Sequence, residues 1–193
     1  MSPRPIRRHP VPTKSALMIQ KKICMLGSFA VGKTSLVAQF LTKGFSEKYH
    51  TTIGVKVDKK TVQVAGNSVD LILWDIQGED SSQQLYLSYL RGISGYLLVV
   101  DGTRRSSLAT AINIQSTVST LLGPRVPFVV LVNKLDLQAE WEVQESDLQE
   151  LAQRSWYVAK TSAKTGEEVE QTFLHLATQV MQGSMNASSA ASS

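Results

Sequence analysis

Residues 21–34 read KKICMLGSFAVGKT, an apolar segment that runs directly into a glycine-rich loop. Residues 27–34 match the pattern G-x-x-x-x-G-K-[ST], in which glycines allow a tight turn and successive backbone N–H groups point inward at phosphate oxygens. Apolar residues at helical spacing follow in 36–41, so the loop leads into a helix N-terminus, whose partial positive charge favours anions. Strand, loop and helix together favour a phosphate-binding loop over a simple glycine-rich turn.

The rest of the chain alternates between strand-like and helix-like segments. The runs YLLVV (96–100) and FVVLV (128–132) are continuously apolar, which is typical of strands buried on both faces of a parallel sheet. The dipeptide GN at 66–67 is a hairpin signal and makes one neighbouring pair antiparallel. Further strands are predicted at 21–27, 54–64, 69–75 and 156–160, and further helices at 105–122, 144–153 and 167–182. We therefore predict an α/β fold: a doubly wound, mostly parallel six-stranded sheet with one antiparallel strand and helices on both faces.

Length and composition are consistent with a single domain. The chain has 193 residues, of which 42% are hydrophobic, enough for one sizeable core. The domain is predicted at 18–182, between a disordered, basic, proline-rich tail (1–17) and a disordered Ser/Ala-rich tail (183–193). The first tail carries four basic residues and no acidic one, which accounts for the net charge of +4. The remaining chain is charge-balanced, which argues against a nucleic-acid partner, and we expect a monomer.

Several absent signals bear on location. No apolar run approaches the length of a membrane span or the core of a signal peptide. Cys24 is the only cysteine, so no disulfide within the chain is possible, and it is expected to be a small buried hydrophobe. The C-terminus lacks a prenylation motif, and Ser2 stands where myristoylation needs glycine. We expect a cytoplasmic protein without a lipid anchor.

A second motif distinguishes between nucleotides. Residues 133–136 read NKLD and directly follow the apolar run FVVLV, at the carboxyl edge of the sheet, where such folds bind ligands. The Asp136 carboxylate can accept from guanine N1–H and from the exocyclic amine, whereas adenine offers neither proton. A ligand that leaves a buried polar group of the site unpaired is rejected strongly. TSAK (161–164) leaves the last strand at the same edge, where a backbone N–H could meet guanine O6.

With these motifs in place, the chain resembles the small GTPases of the Ras superfamily, nearest the Rab-like branch. The resemblance covers about residues 21–181 and includes five motifs in order: GSFAVGKT, YHTTIG, WDIQG, NKLD and TSAK. It implies a molecular switch that binds GTP or GDP with Mg²⁺, hydrolyses GTP, and meets effectors, an exchange factor and an activating protein through two segments. We call these segments switch I, which contains residues 49–54, and switch II, which contains residues 74–80. The missing prenylation motif would suit a bacterial member.

The resemblance also assigns roles to single residues. The nucleotide phosphates would be held by Gly27, Ala30, Val31, Gly32, Lys33, Thr34 and Ser35. The Mg²⁺ ligands would be the hydroxyls of Thr34 and Thr52 and, through water, Asp75. The γ-phosphate would accept from the backbone N–H groups of Thr52 and Gly78. Guanine would be read by Asn133, Lys134 and Asp136, supported by Ser162, Ala163 and Lys164.

Switch II departs from the family pattern. Glu79 stands where a glutamine usually orients the attacking water, and Gln77 stands where alanine is most common. An ionised glutamate accepts hydrogen bonds but cannot donate to a phosphate oxygen, and the Gln77 amide could replace the missing donor. The catalytic candidates are therefore Gln77 and Glu79, together with Lys33 of the phosphate loop. A Glu79 side chain that simply points into solvent is an equally simple interpretation. Phe29 stands where Ras has glycine, and it would crowd an arginine supplied by a partner.

Three functions stay open at this level. The chain hydrolyses GTP slowly, with Gln77 replacing the missing amide. Alternatively, it is an interaction module that remains loaded with GTP and has negligible hydrolysis. The third possibility is another enzyme with a phosphate loop, such as a small-molecule kinase, which the NKLD motif and the short chain disfavour.

Overall fold

The computed structural model describes residues 19–44, 52–77 and 88–190, and side chains as far as residue 183. Six strands and four helices are present in these ranges. The strands are β1 (Ile19–Leu26), β2 (Val55–Val64), β3 (Asn67–Ile76), β4 (Gly95–Asp101), β5 (Phe128–Asn133) and β6 (Val158–Lys160). The helices are α1 (Lys33–Thr42), α2 (Arg105–Leu122), α3 (Glu145–Gln153) and α4 (Val169–Ala190), with a short 3-10 helix at Leu135–Glu140.

The strands form one sheet in the order β2-β3-β1-β4-β5-β6. β2 runs antiparallel to β3, and every other neighbouring pair is parallel, which confirms the predicted mixed sheet. The strand order reverses around β1, which pairs with β3 on one side and with β4 on the other. The carboxyl ends of β1, β4 and β5 therefore meet at one edge, the place where doubly wound sheets bind ligands.

Two hydrophobic cores cover the two faces of the sheet. On one face α1 and α4 pack together, and the rings of Phe40 and Phe173 stack with centroids 4.1 Å apart. On the other face α2 and α3 bury apolar side chains that include Val118 and Leu151. Cys24 is fully buried in this second core, as expected. The prediction of helices on both faces is therefore confirmed.

The β2–β3 hairpin turns one residue earlier than the sequence predicted. Asn67 belongs to β3 and pairs with Val64, so the two turn residues are Ala65 and Gly66, not Gly66 and Asn67. Both have positive φ angles, 48° and 77°, as a two-residue turn of the primed type requires. The prediction was wrong at this position because alanine is an uncommon choice for a left-handed conformation.

The C-terminal helix is longer than predicted. α4 continues to Ala190, whereas a disordered tail was expected from residue 183. Once a helix has been nucleated, each added residue gains a backbone hydrogen bond, and residues 183–190 contain no proline to end it. The last strand is also shorter than predicted, since β6 begins at Val158. No helix in the described part of the chain is long and apolar enough to span a bilayer.

Candidate functional site

The glycines of the phosphate loop (residues 27–34) lie where no side chain would fit. A Cβ at Gly27 would lie 2.4 Å from the carbonyl oxygen of Val99 in β4, and one at Gly32 would lie 2.3 Å from the Asn133 amide nitrogen. Their φ angles, 144° and 98°, also disfavour side chains. The loop is therefore packed directly against the ends of β4 and β5.

Lys33 places a cation inside this loop. It is the first residue of α1 and is 6% exposed, and its Nζ donates to the carbonyls of Gly27 and Ser28 at 2.9 Å each. No side chain caps the helix, and no acidic residue occupies its first turn, which includes Thr34 and Ser35. The unpaired N–H groups of a helix N-terminus and a buried ammonium together form an anion site.

Three oxygen-bearing side chains converge next to Lys33. The Thr34 hydroxyl donates to Asp75 Oδ2 at 2.5 Å and lies 2.7 Å from the Thr52 hydroxyl, which lies 3.3 Å from the same carboxylate oxygen. Asp75 is 1% exposed, and its Oδ1 has no hydrogen-bond partner among the described residues. Hydroxyl and carboxylate oxygens are ligands that Mg²⁺ accepts. The donor set therefore fits the ion that the resemblance implies.

Burial dominates the electrostatics of this cluster. Removal from water raises the pKa of Asp75, although the Thr34 hydrogen bond and the charge of Lys33 act in the opposite direction. A buried carboxylate with an unpaired oxygen is costly as an anion, so a divalent cation next to it would be favourable. The described residues contain no cluster of three or more His, Cys, Asp or Glu suited to a metal.

Asn133 connects the two halves of the site. Its side chain is 2% exposed, its Nδ2 donates to the Val31 carbonyl at 3.0 Å, and its Oδ1 accepts from the Ala163 N–H at 3.0 Å. The amide thus joins the phosphate loop to the turn at 161–164. In the described structure Asn133 therefore holds these two segments together. Its role in reading guanine, which the resemblance implies, stays a prediction.

Hydrogen bonds within the protein hold several side chains of the NKLD and TSAK motifs in position. The Ser162 hydroxyl donates to Asp136 Oδ1 at 2.6 Å, and the Leu135 N–H donates to the Thr161 carbonyl at 2.9 Å. Lys134 adopts a left-handed φ of 69°, and its Nζ lies 2.6 Å from Asp101 Oδ2. Asp136 is exposed and remains accessible to a ligand. Lys164 is also exposed, beyond the turn that contains Ala163.

Four residues of this region were not predicted to belong to it: Asp101, Thr103, Arg104 and Trp141. Asp101 Oδ1 accepts from the backbone N–H and the hydroxyl of Thr103 while Oδ2 pairs with Lys134. Asp101 directly follows the buried run YLLVV, and that position at the carboxyl edge was a usable signal. Arg104 reaches the phosphate loop and Trp141 reaches Lys134 through folding alone, and no local pattern marks either one.

Trp141 and Gly102 form a close-fitting pair next to the NKLD motif (residues 133–136). The indole Nε1 donates to the Lys134 carbonyl at 2.9 Å. The six-membered and five-membered rings cover Gly102 so closely that a Cβ there would lie 2.2 Å from the indole. Trp141 therefore holds the left-handed Lys134 from outside the motif.

We expect Gly102→Ala to disturb both stability and nucleotide retention. The added methyl must displace the indole, and overpacking of this kind lowers the unfolding free energy by about 1–3 kcal/mol. Thermal melts and GDP release rates measure the two effects, and Gly183→Ala in α4 is the control, because a Cβ there meets open space and the variant should melt no lower than wild type. Adding Trp141→Leu to Gly102→Ala should restore part of the stability. If the double variant is no more stable than Gly102→Ala alone, the indole is not the group displaced.

Switch II is only partly described. Gln77 is exposed and makes two hydrogen bonds with Gly54 of switch I: its backbone N–H donates to the Gly54 carbonyl at 2.9 Å, and its Oε1 accepts from the Gly54 N–H at 3.1 Å. Gly78 and Glu79 lie outside the described residues, and their predicted roles stay predictions. The visible contact joins the two switches directly.

Comparison with known proteins agrees with this geometry. The model of the Ras family matches residues 22–182. The Ras-related protein Rab-4 of Dictyostelium discoideum is 35% identical over 161 residues, which cover 83% of this chain and 78% of the relative. The Ras-related protein Rab-4B of Homo sapiens is 34% identical over 161 residues, covering 83% of this chain and 76% of the relative. The chain therefore belongs to the Ras family and is a Rab-like small GTPase.

Proposed function

We propose that this protein is a guanine-nucleotide switch that binds GTP and GDP with Mg²⁺ and hydrolyses GTP slowly. The observation that supports it most is the convergence of Thr34, Thr52 and Asp75 beside Lys33. Thr52 comes from switch I, so a ligand bound at this point connects switch I to the phosphate loop. Loss of the γ-phosphate would remove that connection and release the segment.

Each side chain of the site has a defined task in this proposal. Thr34 and Thr52 would bind the ion directly and Asp75 through water, and the bound ion would neutralise charge on the phosphate oxygens. Lys33 holds the phosphates with a buried positive charge. Asp136, aligned by Ser162, accepts from the guanine base. Effectors and regulators would recognise the arrangement of switches I and II.

Slow hydrolysis follows from the switch II chemistry. Glu79 lacks the amide that would donate to a phosphate oxygen. Gln77 has such an amide, but its oxygen already accepts from the Gly54 N–H. This contact ties the Gln77 amide to switch I, so a route that uses Gln77 needs either the second lone pair of its oxygen or a rearrangement of the side chain.

The same contact favours a second candidate function. Two hydrogen bonds between Gln77 and Gly54 hold switch I against switch II, as an interaction module that stays loaded with GTP would need. In that case the protein presents one surface to a partner and turns over negligibly. The rate of the chemical step distinguishes the two functions.

Single-turnover GTP hydrolysis tests the proposal. We expect wild type to be slow, Gln77→Ala to be slower, and Glu79→Gln to be faster because an amide returns to the usual position. General positioning effects of this kind change rates by about 10²-fold. Gln63→Ala, an exposed glutamine of β2, is the control and should match wild type.

Two outcomes would change the conclusion. If Gln77→Ala is unaffected and Glu79→Gln is slower, Gln77 does not replace the missing amide. If wild type shows no turnover above the rate of GTP in buffer and co-purifies with GTP, the interaction module is the better description.

A further inference from the structure

We propose that Arg104 is a positioning residue of the phosphate loop, which strengthens the hold on a triphosphate more than on a diphosphate. The inference rests on the proposed function, because it concerns the ligand of the same loop. It adds a cation supplied by this chain itself, from the segment between β4 and α2.

Arg104 contacts the first half of the phosphate loop. Its Nη2 donates to the Phe29 carbonyl at 2.5 Å and to the Ser28 hydroxyl at 3.2 Å. These residues lie in the same part of the loop whose inner side is expected to face the phosphates. The guanidinium of Arg104 therefore already occupies a place at Phe29, where an arginine supplied by a partner would approach the loop.

The backbone of Arg104 is fixed, so the side chain reaches the loop from a defined point. Its N–H donates to the Asp101 carbonyl at 3.0 Å, and its carbonyl accepts from the Ser107 hydroxyl at 2.7 Å. Ser107 is 1% exposed and also donates to the Asp101 carbonyl. These bonds fix the point from which the side chain starts, whereas the side chain itself still loses rotamer freedom when it holds the loop.

The bond to Phe29 acts on the next residue through one peptide group. The described chain contains no cis peptide bonds, so the Phe29 carbonyl and the Ala30 N–H point in opposite directions. Because the Phe29 carbonyl accepts from Arg104, the Ala30 N–H points away from Arg104, and the proposal places the phosphates on that side of the loop. A cation on the carbonyl polarises the peptide and strengthens the N–H as a donor.

The charge of Arg104 remains available to a ligand. Arg104 forms no ion pair with an acidic side chain in the described part of the chain, and its buried Nε has no hydrogen-bond partner there. Its neighbour Arg105 differs, since it pairs with Asp147 at 2.7 Å and has a side chain that is 62% exposed. A GTP molecule carries more negative charge than GDP, so a cation beside the loop that has no acidic partner among the described residues would stabilise GTP more.

Release rates of fluorescent GDP and of a fluorescent, non-hydrolysable GTP analogue test this inference. We expect Arg104→Gln to speed release of the GTP analogue by about 10-fold, the lower end of the range for a hydrogen bond from a charged group, and release of GDP by about threefold. Arg104→Lys keeps the charge without the planar guanidinium, so its release rates should lie between those of wild type and those of Arg104→Gln. Arg105→Gln removes the same charge one residue away and should stay within about twofold of wild type for both nucleotides.

The ratio of the two accelerations decides the question. If Arg104 only stabilised the fold, Arg104→Gln would speed release of GDP and of the GTP analogue equally. Equal acceleration of GDP and GTP release by Arg104→Gln overturns the inference, as does an effect no larger than that of Arg105→Gln. Thermal melts of the GDP complexes check that each variant is folded. If wild type binds neither guanine nucleotide, the proposed function fails as well; if it binds both and only the ratio is unchanged, the inference alone fails.

Discussion

Asp136→Asn is expected to lower the affinity for guanine nucleotides by at least about 100-fold and to raise the affinity for xanthine nucleotides. The carboxylate can accept from both guanine N1–H and the exocyclic amine. Asparagine keeps one acceptor oxygen, but its NH₂ group faces the exocyclic amine of guanine. The substitution therefore removes a charge-assisted hydrogen bond and places two donors opposite each other. Xanthine has a carbonyl in place of the amine, which accepts from that NH₂ group. Competition binding with GDP and xanthosine diphosphate measures the change.

The matched control is Asp58→Asn. Asp58 lies in β2, where it pairs with the exposed Lys56, away from the edge that carries residues 133–136. The change removes the same charge without touching the base site. If Asp136→Asn retains its preference for guanine over xanthine, Asp136 does not read the base.

Lys33→Ala is expected to weaken binding of GTP and GDP by about 10²-fold or more. The Lys33 ammonium is buried in the loop and is held by the carbonyls of Gly27 and Ser28. A hydrogen bond from a charged group contributes about 1.5–3 kcal/mol, and the low local dielectric strengthens its attraction for several phosphate oxygens. Equilibrium titration with fluorescent GDP and a GTP analogue measures the loss.

Lys43→Ala provides the comparison from the other end of the same helix. Lys43 follows α1, and its exposed ammonium pairs with Glu170 at 3.4 Å. Exposed pairs contribute little, so nucleotide affinity should be unchanged. An affinity loss of similar size in both variants would mean that the effect of Lys33→Ala comes from a weakened helix and not from a lost phosphate contact.

Much of the fold could be predicted because its signals are local. The continuous apolar runs in β4 and β5 match buried parallel strands, and the helical spacing in 36–41 matches the buried face of α1. The hairpin was misplaced by one residue because Ala65 adopts a conformation that its side chain disfavours. The extra length of α4 could not be predicted, since Ser and Asn near a helix end are compatible with either helix or coil.

In the candidate site, too, local sequence signals identify some residues and the tertiary fold brings in the others. The motif residues could be proposed from sequence because a phosphate loop and a base-reading carboxylate require particular residue types at particular spacings. Asp101, Arg104 and Trp141 reach the site through strand order and side-chain length, and sequence spacing does not contain that information. The bond between Gln77 and Gly54 likewise depends on where β2 and β3 end relative to each other.

We propose that guanine recognition and the phosphate site with its metal ligands meet at one edge of this sheet. Calorimetric titration of nucleotide-stripped protein with GTP and with ATP, in the presence of Mg²⁺, tests it most directly. Wild type should bind GTP at least about 100-fold more tightly than ATP, and Asp136→Ala should lose that preference while still binding triphosphates through Lys33. Equal affinity of wild type for GTP and ATP, or an intact preference in Asp136→Ala, would contradict the claim.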